Sequence, residues 1–180
     1  ALSGQLTREL AKDGLLPQKA PDPAEGYTPA VRAGFAGLAD ALNQTVLGQE
    51  AFIRQLCMAF RRPYVTGVEG NGPKNAILIW GPEGTGRHFA LRQLAAELAR
   101  RGLAASENVT TMDLALYPGP AQEKLFLQDL YAALNDKSGI LAFDHYEACH
   151  PSFLRLLACL VQEGAAPLGS RYVLQKGILV

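Results

Sequence analysis

A three-layer α/β fold with a mostly parallel central sheet is predicted by three observations. Short apolar runs alternate with helical patterns along most of the chain. One run, residues 76–80, is apolar almost throughout, as a strand covered on both faces should be. That run passes through a glycine-rich turn straight into a helical pattern, the layout of a phosphate-binding loop.

The elements follow in order. Leu2, Leu6 and Leu10 share one stripe, predicting a short amphipathic helix over residues 2–14 that stops near Gly14. Pro17, Pro21 and Pro23 make the next stretch an extended linker, so residues 1–27 read as an arm ahead of a core at 28–180. Thr28 suits an N-cap and Pro29 a first helical residue, with Val31, Phe35, Leu38 and Leu42 along one face. A second helix is expected from about 49 to 62, striped by Phe52, Ile53, Leu56, Cys57 and Phe60 and stopped by Pro63. Residues 66–74 are a loop. Beyond the strand at 76–80, a helix buries Phe89, Leu94, Ala95 and Leu98 and ends at Gly102. Residues 108–113 read as a second strand and 139–144 as a third. Between them a helix at 122–135 turns Leu127, Leu130, Tyr131 and Leu134 inward. Pro151 opens a helix carrying Leu154, Leu157, Leu160 and Val161. A hairpin at 164–175 and the start of a further strand at 177–180 complete the reading.

Composition narrows the function classes. The 180 residues are 48% hydrophobic and 19% charged, enough for one domain with a real core. Formal net charge is +0, and a nucleic-acid-binding domain is usually visibly basic. Arg61-Arg62 and Arg100-Arg101 fall at expected helix ends, where cations suit the macrodipole. Cys57, Cys149 and Cys159 lie in apolar helical contexts without spacing logic, which points to reduced thiols in a cytoplasmic protein. The sequence shows no signal peptide and no apolar run long enough to cross a bilayer.

Two boxes carry chemistry. Gly81, Pro82, Glu83, Gly84, Thr85 and Gly86 fit the frame G-x-x-x-x-G-K-[ST], in which backbone N–H groups wrap the phosphates. Arg87 stands where Lys is expected and His88 where Ser or Thr is expected. Arg87 keeps the charge, but its planar guanidinium is bulkier than an ammonium. His88 has no hydroxyl, and a neutral imidazole is a poor ligand for Mg²⁺. The second box is residues 139–151, an apolar strand that delivers Asp144 at its carboxyl edge, where an acid supports Mg²⁺. His145 occupies the next position, where an ATPase of this kind usually carries Glu to polarise water. The plainer reading of Asp144 is a strand-end or helix-capping acid. His145 could still accept a proton as a catalytic residue, though its reach and charge differ from a carboxylate's. As a metal site, His145, Cys149 and His150 are read instead as packing and hydrogen-bonding groups, since nothing supplies further ligands.

With both boxes placed, the chain resembles the Clp/heat-shock branch of the AAA+ ATPases, and the related torsins. The matching segments are VLGQE at 46–50, the glycine loop at 81–88, MDLALY at 112–117, FDHYEACHP at 143–151 and the tail from Leu160. The resemblance covers about residues 28–180 and implies an AAA+ large subdomain that binds ATP or ADP with Mg²⁺. It further implies that Val46, Leu47 and Gly48 lie beside the adenine base, that Asp144 serves the metal, and that protein partners or other subunits of an oligomer are bound. Three departures fall in one site, at Arg87, His88 and His145. The stretch 117–139 lacks the Gly-aromatic-Val-Gly pore loop of the family's unfoldases. Sensor, arginine finger and helical lid would follow residue 180, so the chain is expected to be a piece of a longer protein. The resemblance then implies a degenerate ATPase domain with a scaffold or regulatory role. An active chaperone ATPase and a nucleotide-independent protein-interaction module are the alternatives.

Overall fold

The computed structural model describes residues 25–67, 73–136 and 139–163, and the backbone of 178–179. The helix expected at 2–14, its linker and the hairpin at 164–175 lie outside these. Thr28 caps α1 (Pro29–Phe35), its hydroxyl accepting from the Val31 N–H at 3.2 Å. The single helix expected here is in fact two. Gly37, at φ 61°, interrupts the helical dihedrals before α2 (Leu38–Asn43). Val31, Phe35, Leu38 and Leu42 are nevertheless all buried together. Gly34 lets α1 approach the neighbouring chain through bare backbone, since a Cβ there would lie 2.8 Å from Leu103 Cδ2.

α3 (Glu50–Thr66) runs past Pro63, which was expected to stop it. A proline inside a helix supplies no N–H to the carbonyl four residues back, here that of Ala59. Asn75 satisfies that carbonyl instead, its Nδ2 donating to Ala59 O at 2.7 Å. Arg61 therefore lies within the helix, with its guanidinium over the Tyr27 ring at 4.9 Å.

β1 is short (Asn75–Ala76), and residues 77–80 continue it without a ladder among the described residues. Leu78 is 72% exposed and Trp80 86%, so the expectation of a strand buried on both faces fails. The physical reason is that, among the described residues, only one face of the run is covered. β1 meets β4 (Ile178–Leu179) over two residues, Asn75↔Ile178 and Ala76↔Leu179. Ile77 and Ile79 pack against the core while Leu78 and Trp80 point away from it.

α4 (Arg87–Arg100) buries Leu94, Ala95 and Leu98, but Phe89 is exposed, and Ala90 and Leu91 take the inward places instead. Gly102 at φ 69° follows its end, with the Leu103 N–H bonded back to Leu98 O at 2.8 Å. Arg101 caps a different helix from the one expected. Its guanidinium donates to Gly34 O (3.0 Å) and Ala36 O (2.7 Å), the carbonyls at the end of α1.

β2 (Val109–Asp113) and β3 (Ile140–Asp144) pair in parallel, from Val109↔Ile140 to Asp113↔Asp144. The sheet order is β1-β4-β3-β2. β3 divides its side chains between two cores. Ile140 and Ala142 join the cluster built on α1 to α4, whereas Phe143 packs with the second cluster. That second cluster unites Met112 with α5 (Glu123–Asn135) and α6 (Pro151–Glu163). Leu130 is buried as expected on α5, but Tyr131 is exposed, and Phe126 and Phe153 fill the centre. No helix among the described residues is long and apolar enough to cross a membrane.

Candidate functional site

The glycine turn leaves residue 80 and enters α4 at Arg87, as the motif requires. Gly84 (φ 74°) and Gly86 (φ 79°) take left-handed conformations that a side chain rarely adopts. Among the described residues, nothing lies within 4 Å of where a Cβ would sit on either glycine, so the turn presents its backbone to open space. Gly86 caps α4 without a side-chain hydrogen bond, and no acidic residue stands in the first turn. The orphan N–H groups of that turn are therefore available to an anion.

The remaining loop residues hold its shape. The Thr85 hydroxyl donates to Pro82 O at 2.9 Å, and Gln49 Nε2 reaches Thr85 O at 3.4 Å. That second bond brings residues 46–49 beside the loop, with Val46 buried, Gly48 at φ 72° and Leu47 exposed. Arg87 lays its stem over Gly81, where a Cβ would sit 3.9 Å from Arg87 Cδ. Among the described residues, no ion pair is formed by Arg87.

Opposite the loop, the carboxyl ends of β2 and β3 carry Asp113 and Asp144 on one rung. Each is held by a histidine. His88 Nε2 lies 2.8 Å from Asp144 Oδ1 and 2.7 Å from Oδ2, donating to the carboxylate. His145 Nδ1 lies 2.8 Å from Asp113 Oδ1, which also accepts from the Ala115 N–H at 3.0 Å. His145 itself is a non-glycine residue at φ 52°, a conformation that persists where the surroundings enforce it. A cavity of about 410 Å³ is walled by Ile79, Trp80, Gly81, Arg87, His88 and Asp144 among others. Glu83, His145 and Glu147 also line it.

Of the residues singled out in the sequence, Gly81, Glu83, Arg87, His88, Asp144 and His145 line one cavity, whereas Pro82, Gly84, Thr85 and Gly86 do not, and Gln49 reaches the loop only through Thr85 O. Reading the sequence missed Asp113 and Trp80. A second strand ending in an acid was the available signal for Asp113. Trp80 was misassigned because its run looked buried. Cys149 is buried, its thiol pushed up by desolvation, and His150 Nδ1 pairs with Ser152 Oγ at 2.7 Å. No group of three or more metal-ligating side chains that could hold an ion occurs among the described residues.

The His145–Asp113 pair sets a pH dependence. The hydrogen bond to Asp113 raises the His145 pKa from the ordinary 6.5, and that from His145 lowers the Asp113 pKa from 3.8. The histidine's contribution to stability is whole below 6.5 and fades as pH rises through its elevated titration. The aspartate's is whole above 3.8 and fades as pH falls through its depressed one. An NMR titration of the His145 ring is expected to show a midpoint above 6.5, which Asp113→Asn returns toward that value. A midpoint indifferent to Asp113→Asn would break this assignment.

No family model matches the chain. It is 21% identical over 155 residues to a probable ATP-dependent Clp protease ATP-binding subunit of Chlamydia pneumoniae, covering 79% of this chain and 18% of that protein. It is 25% identical over 140 residues to the Clp protease ATP-binding subunit ClpE of Lactococcus lactis, covering 71% and 18%. An ATP-dependent protease ATP-binding subunit-like protein of Rhodococcus erythropolis is 29% identical over 147 residues, covering 74% and 42%. The chain therefore spans less than a fifth of the first two proteins. Together with the strand–glycine turn–helix and its small parallel sheet, these similarities support a Clp-like AAA+ relationship for this chain.

Proposed function

We propose that the chain is a degenerate Clp-like AAA+ domain, built on a three-layer P-loop core, that binds ATP or ADP weakly and hydrolyses it poorly. Its role is then that of a scaffold or regulatory element among protein partners or other subunits of an oligomer. The observation that carries this reading is the direct bond between His88 and Asp144. These two positions hold the hydroxyl and the carboxylate that a working site uses together. Here they satisfy each other.

Binding is supported by the open glycine turn, the uncapped start of α4 and the Arg87 guanidinium. Glu83 and Glu147 on the cavity wall repel an anion and keep affinity low. Hydrolysis is disfavoured because His145 is tied to Asp113 and lies outside a water-activating geometry unless that bond breaks. Losing a transition-state contact typically costs on the order of 10²–10³ in rate, and several are altered here.

Thermal shift and phosphate release test the proposal together. At about ten times Kd, nucleotide adds roughly 1.4 kcal/mol of stability and about 3–5 °C of melting temperature. That rise is expected with millimolar ATP or ADP, without phosphate release above background. Sustained turnover would return the domain to the working ATPases. No rise with either nucleotide would favour a nucleotide-independent interaction module.

A further inference from the structure

A Clp-like reading implies Mg²⁺ at the phosphates, and the residues present do not fit it. Mg²⁺ demands near-octahedral oxygen coordination and is commonly held through a hydroxyl and a carboxylate beside the phosphates. Position 88 offers an imidazole instead of a hydroxyl. Both oxygens of Asp144 are within 2.8 Å of its Nε2, so the coordinating side of the carboxylate is already taken. The neighbouring carboxylate on the same rung is no substitute, because Asp113 does not line the cavity and its Oδ1 is engaged by His145 and by the Ala115 N–H. Glu83 sits on the loop itself and Glu147 on the turn at Tyr146–Ala148, and neither replaces the missing hydroxyl.

We infer that the cradle at residues 81–87 takes the phosphate tail of a nucleotide without a divalent ion, His88 having displaced the metal from Asp144. This rests on the nucleotide-binding reading above and specifies the form of ligand that the site accepts. The imidazole does locally what the ion does elsewhere, occupying the acid that would face the phosphates. Arg87 then supplies the mobile positive charge, and a guanidinium can grip phosphate oxygens in pairs without a metal to organise them.

Isothermal titration with ADP, in excess MgCl₂ and in excess EDTA, tests the inference on the 180-residue chain. The expected result is a Kd that agrees within about threefold between the two buffers, a difference under about 1 kcal/mol. His88→Thr frees Asp144 and restores a hydroxyl, and is expected to bind at least about tenfold more tightly with Mg²⁺ than without. Binding by the unaltered chain that is tenfold or more tighter with Mg²⁺ would overturn the inference while leaving the nucleotide reading intact. A His88→Thr variant as indifferent to Mg²⁺ as the parent would overturn the role given to His88. No binding in either buffer would remove the nucleotide reading, and this inference with it. A second readout avoids dependence on a variant. In the ADP-bound parent, the His88 ring resonances are expected to stay in place when Mg²⁺ is added, and their displacement would count against the inference.

Discussion

Arg87→Ala is expected to remove most of the nucleotide-dependent rise in melting temperature while leaving the fold intact. The side chain stands on the first turn of α4, half-buried and without an ion-pair partner among the described residues. Its loss therefore strips no internal contact of comparable strength. A hydrogen bond to a charged group is worth about 1.5–3 kcal/mol, so affinity should fall by roughly 10- to 100-fold. Arg87→Lys separates charge from shape. If the paired geometry of the guanidinium matters, lysine recovers only part of the shift. Thermal melts of the three proteins with and without ADP make the measurement. An undiminished shift in Arg87→Ala would place the phosphates elsewhere.

Phe126→Ala is expected to cost about 3–5 kcal/mol, the range for truncating a buried aromatic side chain. Phe126 is fully buried, stacked on Phe153 with centroids 4.6 Å apart and planes at 13°. Tyr117 meets it edge-on at 5.2 Å, and the Tyr117 hydroxyl is anchored on Asp129 at 2.6 Å. These rings join α5, α6 and the turn that follows β2, so the cavity left has walls on three sides and little freedom to collapse. Urea unfolding followed by circular dichroism reads the loss as a lower midpoint at similar slope. Leu125→Ala, one position along α5 on its exposed side, should stay within about 0.5 kcal/mol of the parent.

The sequence was most legible where one residue type has one physical use. Thr28-Pro29, the two left-handed glycines of the turn, Gly102 and the apolar run before Asp144 all occupy their expected places. Errors arose where a distant partner decides the outcome. Pro63 continues its helix because Asn75 answers the carbonyl left free. Trp80 is exposed because, among the described residues, its side of the run has no core packed on it, although the apolar run suggested cover on both faces. Phe89 and Tyr131 lie on edges of stripes whose centres were chosen by the packing of neighbouring elements. At the site, the positions of Asp144 and His88 were readable separately. Their bond was not, because it depends on how β3 is set against α4, a tertiary fact beyond any local pattern. Asp113 escaped for the same reason, since its interest comes from sharing a rung with Asp144.

The amide of Asn75 does more than mend a helix. It fastens the last turns of α3 to the first residue of the segment that runs into the glycine turn. Any slippage of that segment along its axis would strand an acceptor in a partly dry setting. The glycine turn is therefore indexed against α3, and a shift at the proline would be felt as a misalignment of the glycines.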